Sequence, residues 1–365
     1  MTIILFVVIL AILIIVHELG HFLIAKWSGI RVDEFGLGFP PRLVGWKRGE
    51  TTYSLNALPF GGFVRIFGED PGAEVPKEER TRNFGFKPKS IQTLVLAGGI
   101  LFNIVFAWLL ISLGFMTGMP VPEGYSAAGE TENIQVLIAG VANNSPANYA
   151  GLQAGDSIVS LQAGDQKIDK FSVDDIRNFM AANANQKVSV EYIRNQETAT
   201  VDVVPVVGIG SVTDRATIGV TLQVVGTLKV SFFRALWEGA KLTYDLTIAT
   251  VVGLYQFLSR AVIGQAQLSE VTGPVGIANL VGDASRLGFV YLLSFTAFIS
   301  INLAVINFIP FPALDGGRIL FVLIEKIKGT PINPKVANVF NAVGFFLLIG
   351  LMLIVTYHDI TLLFS

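Results

Sequence analysis

The motif His-Glu-Leu-Gly-His, from His17 to His21, lies inside an apolar run, Thr2 to Ala25, long enough to cross a bilayer. A spanning helix needs roughly 20 apolar residues. An ionisable side chain within one is expensive, rare and functional by default. Two histidines four residues apart share one face of a helix, so His17 and His21 can grip one metal ion from adjacent turns. Glu18 is placed to reach a water at that metal rather than the metal itself. The bland alternative is two core histidines and a satisfied glutamate, and the apolar setting argues against it. With no basic residue before Lys26 and no small-residue cleavage pattern, the run reads as a retained span rather than a removed signal.

The rest of the chain fits a membrane protein. Hydrophobic residues make up 52% and charged residues 15%, with a mean hydropathy of +0.60, beyond the usual balance of globular chains. A net charge of −2 gives no basic field for nucleic acid. Cysteine is absent, so disulfides and thiolate metal ligation are excluded, and a metal site must be built from His, Asp or Glu. With three histidines in all, a many-histidine site such as a di-iron centre cannot be assembled.

Three further runs have spanning character: Ile91 to Met119, Phe289 to Ile309 and Val339 to Tyr357. The loop of residues 26–90 carries Lys and Arg from Lys26 through Lys89, which places it on the cytoplasmic side. The amino terminus and the stretch from Pro120 to about Leu287 then lie outside. Arg318, Lys326, Lys328 and Lys335 follow the third span and fall inside again. The segment Ser231 to Ile263 tests this topology, because it holds Arg234, Glu238, Lys241 and Asp245 on one polar face. A charge at mid-bilayer costs about 2.5–3.5 kcal/mol on insertion scales, so an interfacial amphipathic helix fits better than a fifth span. A fifth span would invert everything after it.

The external stretch contains a compact α+β domain, roughly Thr131 to Val207. "IQVLIAGV" and "DSIVSL" read as strands, and Ser172 with Asp175 forms a capping box opening the helix "VDDIRNFMAAN". "KVSVEYIR" and "TATVDVVP" read as a hairpin around Asn195.

A catalytic zinc normally takes three protein ligands and leaves a position for water. His358 falls at the outer end of the last span, about a bilayer from His21, and reads as an interfacial residue. Asp315, in "NFIPFPALDGGR", is the better third ligand. Pro310 and Pro312 end the regular helix of the third span, and Gly316 and Gly317 allow a tight turn after the aspartate. If the third span runs from outside to inside, as the first does, Asp315 and His21 share the inner half. Asn103, Asn302 and Asn307 lie in the apolar spans, where an amide needs partners. One or more of them is expected to bind substrate backbone. Structural glue between helices is an equal reading for Asn103, and Gly98 and Gly99 beside it permit close helix approach.

Together, "HELGH" in the first span, "NFIPFPALDGG" in the third and the intervening external domain resemble the site-2 protease family of intramembrane zinc metalloproteases. The similarity is greatest to the bacterial regulator of sigma-E protease type and covers essentially the whole chain. The resemblance implies a multi-pass α-helical membrane protein of about four spans. The spans expected are 2–25, 91–119, 289–317 and 339–357. They are accompanied by a membrane-associated β-structured loop at 26–90, an extracytoplasmic PDZ-like domain at 131–207 and an amphipathic interfacial region at 231–263. "GFVRIFGE", Gly62 to Glu69, resembles the family's β-structured loop. By the same resemblance His17, His21 and Asp315 would ligate Zn2+, Glu18 would be the catalytic base, and Asn302 and Asn307 would lie near substrate. The expected substrates are single-span membrane proteins already trimmed outside, such as anti-sigma factors or signal-peptide remnants. The expected home is the bacterial plasma membrane. Enterobacterial relatives carry two tandem PDZ modules, whereas the external stretch here fits one, which would bind peptide tails or exclude bulky substrates.

Two rivals belong to other classes. A membrane adaptor with a PDZ-like domain would use a closed, non-catalytic metal site, which normally has four protein ligands, and three good ones are found here. A membrane-anchored enzyme acting on soluble peptides would hold its metal motif in a wetted domain, not within Thr2 to Ala25.

Overall fold

The computed structural model describes residues 2–69, 76–122, 125, 132–169, 172–194, 197–209, 212–265 and 271–364. Its helices are α1 (Thr2–Trp27), α2 (Lys89–Leu96), α3 (Gly98–Thr117), α4 (Pro146–Tyr149) and α5 (Val173–Ala182), then α6 (Phe232–Val262), α7 (Pro274–Leu287), α8 (Phe289–Phe308), α9 (Asp315–Lys328) and α10 (Pro334–Phe364). Its strands are β1 (Val32–Arg48), β2 (Thr51–Ile66), β3 (Met119–Pro122), β4 (Glu132–Val141), β5 (Ser157–Ala163) and β6 (Gln166–Ile168), then β7 (Val188–Arg194), β8 (Glu197–Val203), β9 (Val206–Ile209), β10 (Val212–Thr217) and β11 (Val220–Leu228). The chain forms two compact units. One comprises Met1–Ser112, Gly239–Gly282 and Ser294–Ser365, and the other Leu113–Glu238 with Asp283–Leu293.

Among the described residues, four helices are long and apolar enough to cross a membrane: α1, α3, α8 and Pro334–Thr361 of α10. The run Ile91 to Met119, expected as one span, is two helices joined at Ala97. The junction falls where the chain crowds α1. A Cβ at Gly98 would lie 2.7 Å from Gly20 O, and one at Gly20 would strike the Gly98 carbonyl. The third span, given bounds of 289–317, ends its helix at the prolines, as expected. α8 ends at Phe308, and Pro310 and Pro312, which lack an N–H to continue a helix, lead into a turn before α9 opens at Asp315. Ala313 takes that turn at φ 70°. Gly316 and Gly317 are helical; their Cβ positions are filled by the carbonyls of Phe308, Ile309 and Phe311, so close packing rather than a turn demands glycine there.

β1 and β2 form one antiparallel sheet in which each strand is used twice. Residues 32–37 pair on one side with 52–55 and on the other with 62–66, and residues 42–48 pair with 51–56. The layer order is therefore 42–48, 51–56, 32–39, 62–66, and among the described residues 62–66 pairs on one side only. The first half of β1 alternates buried and partly buried residues, while everything from Phe39 to Arg48 is exposed. That outer half turns Phe39, Leu43, Val44 and Trp46 outward, with Leu55 and Leu58 exposed on β2. So much apolar surface on one small sheet is the mark of a membrane or partner contact. Where the sheet meets the helices, Ile24, Ile30, Val32, Ile66, Val95 and Leu96 form a core with Ile319 and Val322 of α9.

In the second unit the sheet order is β3-β11-β4-β5-β7-β8, with β6 on β5. The strands and helix expected from the sequence are present as β4, β5, β7, β8 and α5. The Ser172–Asp175 capping box is made in both directions. The hairpin turn at Asn195 and the first residue of the expected domain, Thr131, lie outside the described residues. The sheet extends beyond 131–207, because β11 pairs with β4 and β3 pairs with β11. Ile138, Leu161, Val188, Val190, Ile176 and Ile218 fill the core from strands, helix and the β10–β11 turn. The turn "AGLQAGD", Ala150 to Asp156, is tied to β7. Buried Asp156 accepts two hydrogen bonds from Arg194, at 2.6 and 2.7 Å, and one from Gln153 N at 2.8 Å.

Candidate functional site

α1 carries His17 and His21 on one face, as i, i+4 spacing requires, with the ring centroids 4.9 Å apart and edge-on at 79°. Asp315, the first residue of α9, points one oxygen at both. Its Oδ2 lies 3.0 Å from His17 Nε2 and 3.3 Å from His21 Nε2. The two Nε2 atoms are themselves 3.3 Å apart. Among the described residues these three form the group able to hold a metal ion, with ligand atoms all within 4.8 Å of one another. The three side chains keep between 10% and 14% of their surface exposed, so the group is nearly closed to solvent.

The donor chemistry fits zinc. Two imidazole nitrogens and one carboxylate oxygen make the three-ligand set of an open catalytic site. Among the described residues, buried Asp315 Oδ2 has no hydrogen-bond partner, an orphan that a cation would satisfy. His21 is also set in the right tautomer. Its Nδ1 lies 2.8 Å from Val95 O, and since a carbonyl only accepts, Nδ1 must donate. The lone pair is then on Nε2, which faces Asp315 and His17. This second partner is a backbone oxygen at the end of α2, and no side-chain pattern could have announced it.

Glycines make the centre compact. A Cβ on Gly99 would fall 2.5 Å from His17 Cε1 and 2.6 Å from His21 Nε2, so α3 can press on the rings only with glycine there. On another side, Gly62 of β2 backs onto α1. A Cβ there would meet Ile14 Cγ2 at 2.9 Å and Glu18 Cγ at 3.0 Å. The one-sided strand 62–66 therefore runs past the glutamate next to the ligand pair. Sequence reading singled out both the loop and Glu18 but not their contact.

α9 is anchored at several points. Arg318, one turn beyond Asp315, pairs with Glu69, and Glu325 pairs with Lys89 of α2 at 2.5 Å. The asparagines separate into two kinds. Asn302 and Asn307 hydrogen-bond back to Phe298 O at 2.8 Å and Leu303 O at 2.9 Å, each four residues earlier on α8. Asn103 is fully buried and turns its amide to His17 Nδ1 at 3.3 Å. His358 lies on α10 and is not a member of the three-residue group.

The sequence comparison fits this geometry. The family model for peptidase family M50 matches residues 5–351. The chain belongs to peptidase family M50. Among its relatives, a candidate zinc metalloprotease of Clostridium perfringens is 36% identical over 349 residues, covering 95% of each chain. The regulator of sigma-W protease RasP of Bacillus subtilis is 30% identical over 442 residues, covering all of this chain and 99% of its own. The zinc metalloprotease RasP of Oceanobacillus iheyensis is 29% identical, with the same coverage. As an M50 peptidase the chain is a zinc metalloprotease, and the four long apolar helices among its described residues make it a membrane protein.

Proposed function

We propose that this M50 peptidase cuts peptide bonds in the transmembrane segments of single-span proteins already trimmed outside, with His17, His21 and Asp315 holding its zinc. The observation that carries the reading is the convergence of three ligand atoms within 4.8 Å on α1, a helix fit to span, and α9, which follows another. Zinc bound there supplies Lewis acidity, which acidifies water and polarises a peptide carbonyl. Glu18 takes the proton of the attacking water and returns it to the leaving amine. Asn302 and Asn307 lie near substrate on α8, where a backbone carbonyl would compete for the amides now bonded to their own helix.

A helical substrate hides its carbonyls in i to i−4 hydrogen bonds and must be extended before it is cut. Among the described residues the segment 62–66 pairs along one edge only, and it backs onto Glu18, which suits it to take the extended substrate as an added strand. The outward Phe39, Leu43, Val44 and Trp46 would seat the layer in the membrane. The positive charge between Lys26 and Lys89 supports a cytoplasmic position for that side, with the amino terminus outside the bacterial plasma membrane. The domain at 131–207 is then an extracytoplasmic PDZ-like domain that binds or screens the outer part of substrates, and the region 231–263 is interfacial. The Bacillus subtilis relative is named for regulating sigma-W, which supports a regulatory membrane protein, such as an anti-sigma factor, among the substrates; signal-peptide remnants fit the same chemistry.

The test compares purified wild type with Glu18→Gln on a single-span substrate whose outer domain has been removed, with zinc content measured in both. Cleavage by wild type alone, with equal zinc, supports the reading. Equal cleavage by both proteins, or zinc lost together with Glu18, overturns the assignment of Glu18 as base.

A further inference from the structure

His17 and His21 are treated differently on the side away from Asp315. The Nδ1 of His21 meets a backbone carbonyl. That of His17 lies 3.3 Å from the side-chain amide nitrogen, Nδ2, of Asn103, reached from α3. Asn103 is 0% exposed, and its backbone carbonyl accepts a hydrogen bond from Ser300 Oγ at 2.8 Å, which ties this point of α3 to α8. The other end of the amide, Oδ1, is buried with no hydrogen-bond partner. Burying an amide with one end unmatched is unfavourable, and in an apolar bundle a leucine would fill the same space. The amide is thus placed by what it does for His17 rather than by packing.

We infer that Asn103 is a positioning residue for the metal centre: its amide oxygen accepts from His17 Nδ1–H, as the Val95 carbonyl does for His21. The inference rests on the ligand set proposed above. His17 can offer a lone pair on Nε2, the atom 3.0 Å from Asp315 Oδ2, only if its proton sits on Nδ1. Nδ1 then needs an acceptor. A half-turn about the Cβ–Cγ bond exchanges Nδ2 and Oδ1 within nearly the same space, so the amide oxygen can take the place that Nδ2 holds beside Nδ1. The partner beyond a ligating histidine fixes both tautomer and ring plane. Gly99 leaves the ring no room for a bulkier restraint, since any Cβ there would collide with it. This assignment replaces the substrate contact expected of Asn103 from the sequence and gives that role to α8 alone.

The experiment measures metal affinity by chelator competition, and the visible spectrum of the cobalt-substituted protein, for wild type, Asn103→Leu, Asn103→Asp and His17→Ala. Asn103→Leu is expected to bind zinc 10- to 100-fold more weakly, in the range for lost outer partners of metal ligands, and to change the cobalt spectrum. Asn103→Asp keeps an acceptor in the same place and is expected to hold affinity within a few-fold of wild type. In cleavage assays at saturating zinc, the loss in Asn103→Leu should fall on kcat with KM unchanged. Wild-type affinity and spectrum in Asn103→Leu, with a raised KM, would overturn the inference in favour of substrate contact. Loss of zinc by Asn103→Asp as severe as by Asn103→Leu would also overturn it, and this nearly isosteric variant answers the question if Asn103→Leu fails to fold. His17→Ala separates the two readings: zinc retained there would refute the ligand set itself, whatever Asn103 does.

Discussion

Arg318 reaches Glu69 from one turn beyond Asp315, joining the helix that presents the carboxylate to the end of the β-layer that backs onto Glu18. The ligand on α9 and the strand 62–66 are thereby held in one frame. Glu69 retains 15% of its side-chain surface and Arg318 37%, so the pair is only partly screened by solvent. Replacing Glu69 by Gln should lower stability by about 1 kcal/mol and slow cleavage several-fold without loss of zinc. A double-mutant cycle with Arg318→Gln checks this, since the two effects should be clearly less than additive.

Gly99→Ala should be far worse than its size suggests. The added methyl would sit against both imidazoles, and overpacking of this kind costs about 1–3 kcal/mol. The expected outcome is a protein that keeps its helix content but loses most of its zinc. Metal analysis and circular dichroism on the same sample decide it.

The turn into α9 carries its own prediction. Ala313 has φ 70° and is exposed, a region that L residues other than glycine enter at a cost of roughly 1 kcal/mol. Ala313→Gly should therefore be neutral or stabilising by up to ~1 kcal/mol, whereas Ala313→Val should destabilise and disturb Asp315. Thermal unfolding in detergent, with and without chelator, measures both.

Much of this centre is legible in the sequence because charged groups in apolar spans stand out. His17, Glu18, His21 and Asp315 are all conspicuous for that reason, and three of them converge as expected. The strands of the second unit are legible from their alternation. What could not be read depends on backbone contacts. The carbonyl of Val95, the close approach of Gly20 to Gly98 and the step at Ala97 have no side-chain signature. The glycines after Asp315 were noticed, but a glycine needed for a tight turn and one needed for close packing look alike until the neighbouring carbonyls are placed. β11 is missing from the expected domain because its pairing with β3 and β4 is long-range, and nothing local marks which strands become neighbours.

Asp359 supplies a further case of long-range design. Near the end of α10 it accepts from Gly273 N at 3.2 Å and Gly276 N at 2.8 Å, capping the start of α7. It is buried, so water does not replace it easily. Asp359→Ala should cost about 0.5–2 kcal/mol, the range for a lost helix cap. Amide hydrogen exchange should accelerate at Gly273 and Gly276 while α1 and α9 keep their protection.

Glu50 makes the β-layer sensitive to acid. The ammonium of Lys26 and the guanidinium of Arg82 hold the Glu50 carboxyl below the usual carboxylate range. A depressed folded-state pKa gives stability that is present above the ordinary carboxylate pKa and lost as pH falls through the folded value. Glu50 is a third exposed, so the effect is small, about 0.2–1 kcal/mol. Unfolding of wild type and Glu50→Gln should differ at pH 7 and converge below about pH 4, near the ordinary glutamate pKa.

The account stands most directly on where the substrate is cut. A single-span substrate, reconstituted with the zinc-loaded protein in bilayers, would be cleaved and both products sequenced by mass spectrometry, with Glu18→Gln as the control. New termini inside the apolar span, absent with Glu18→Gln, are the predicted result. Cleavage confined to residues outside the span would contradict a peptidase built to work within the membrane.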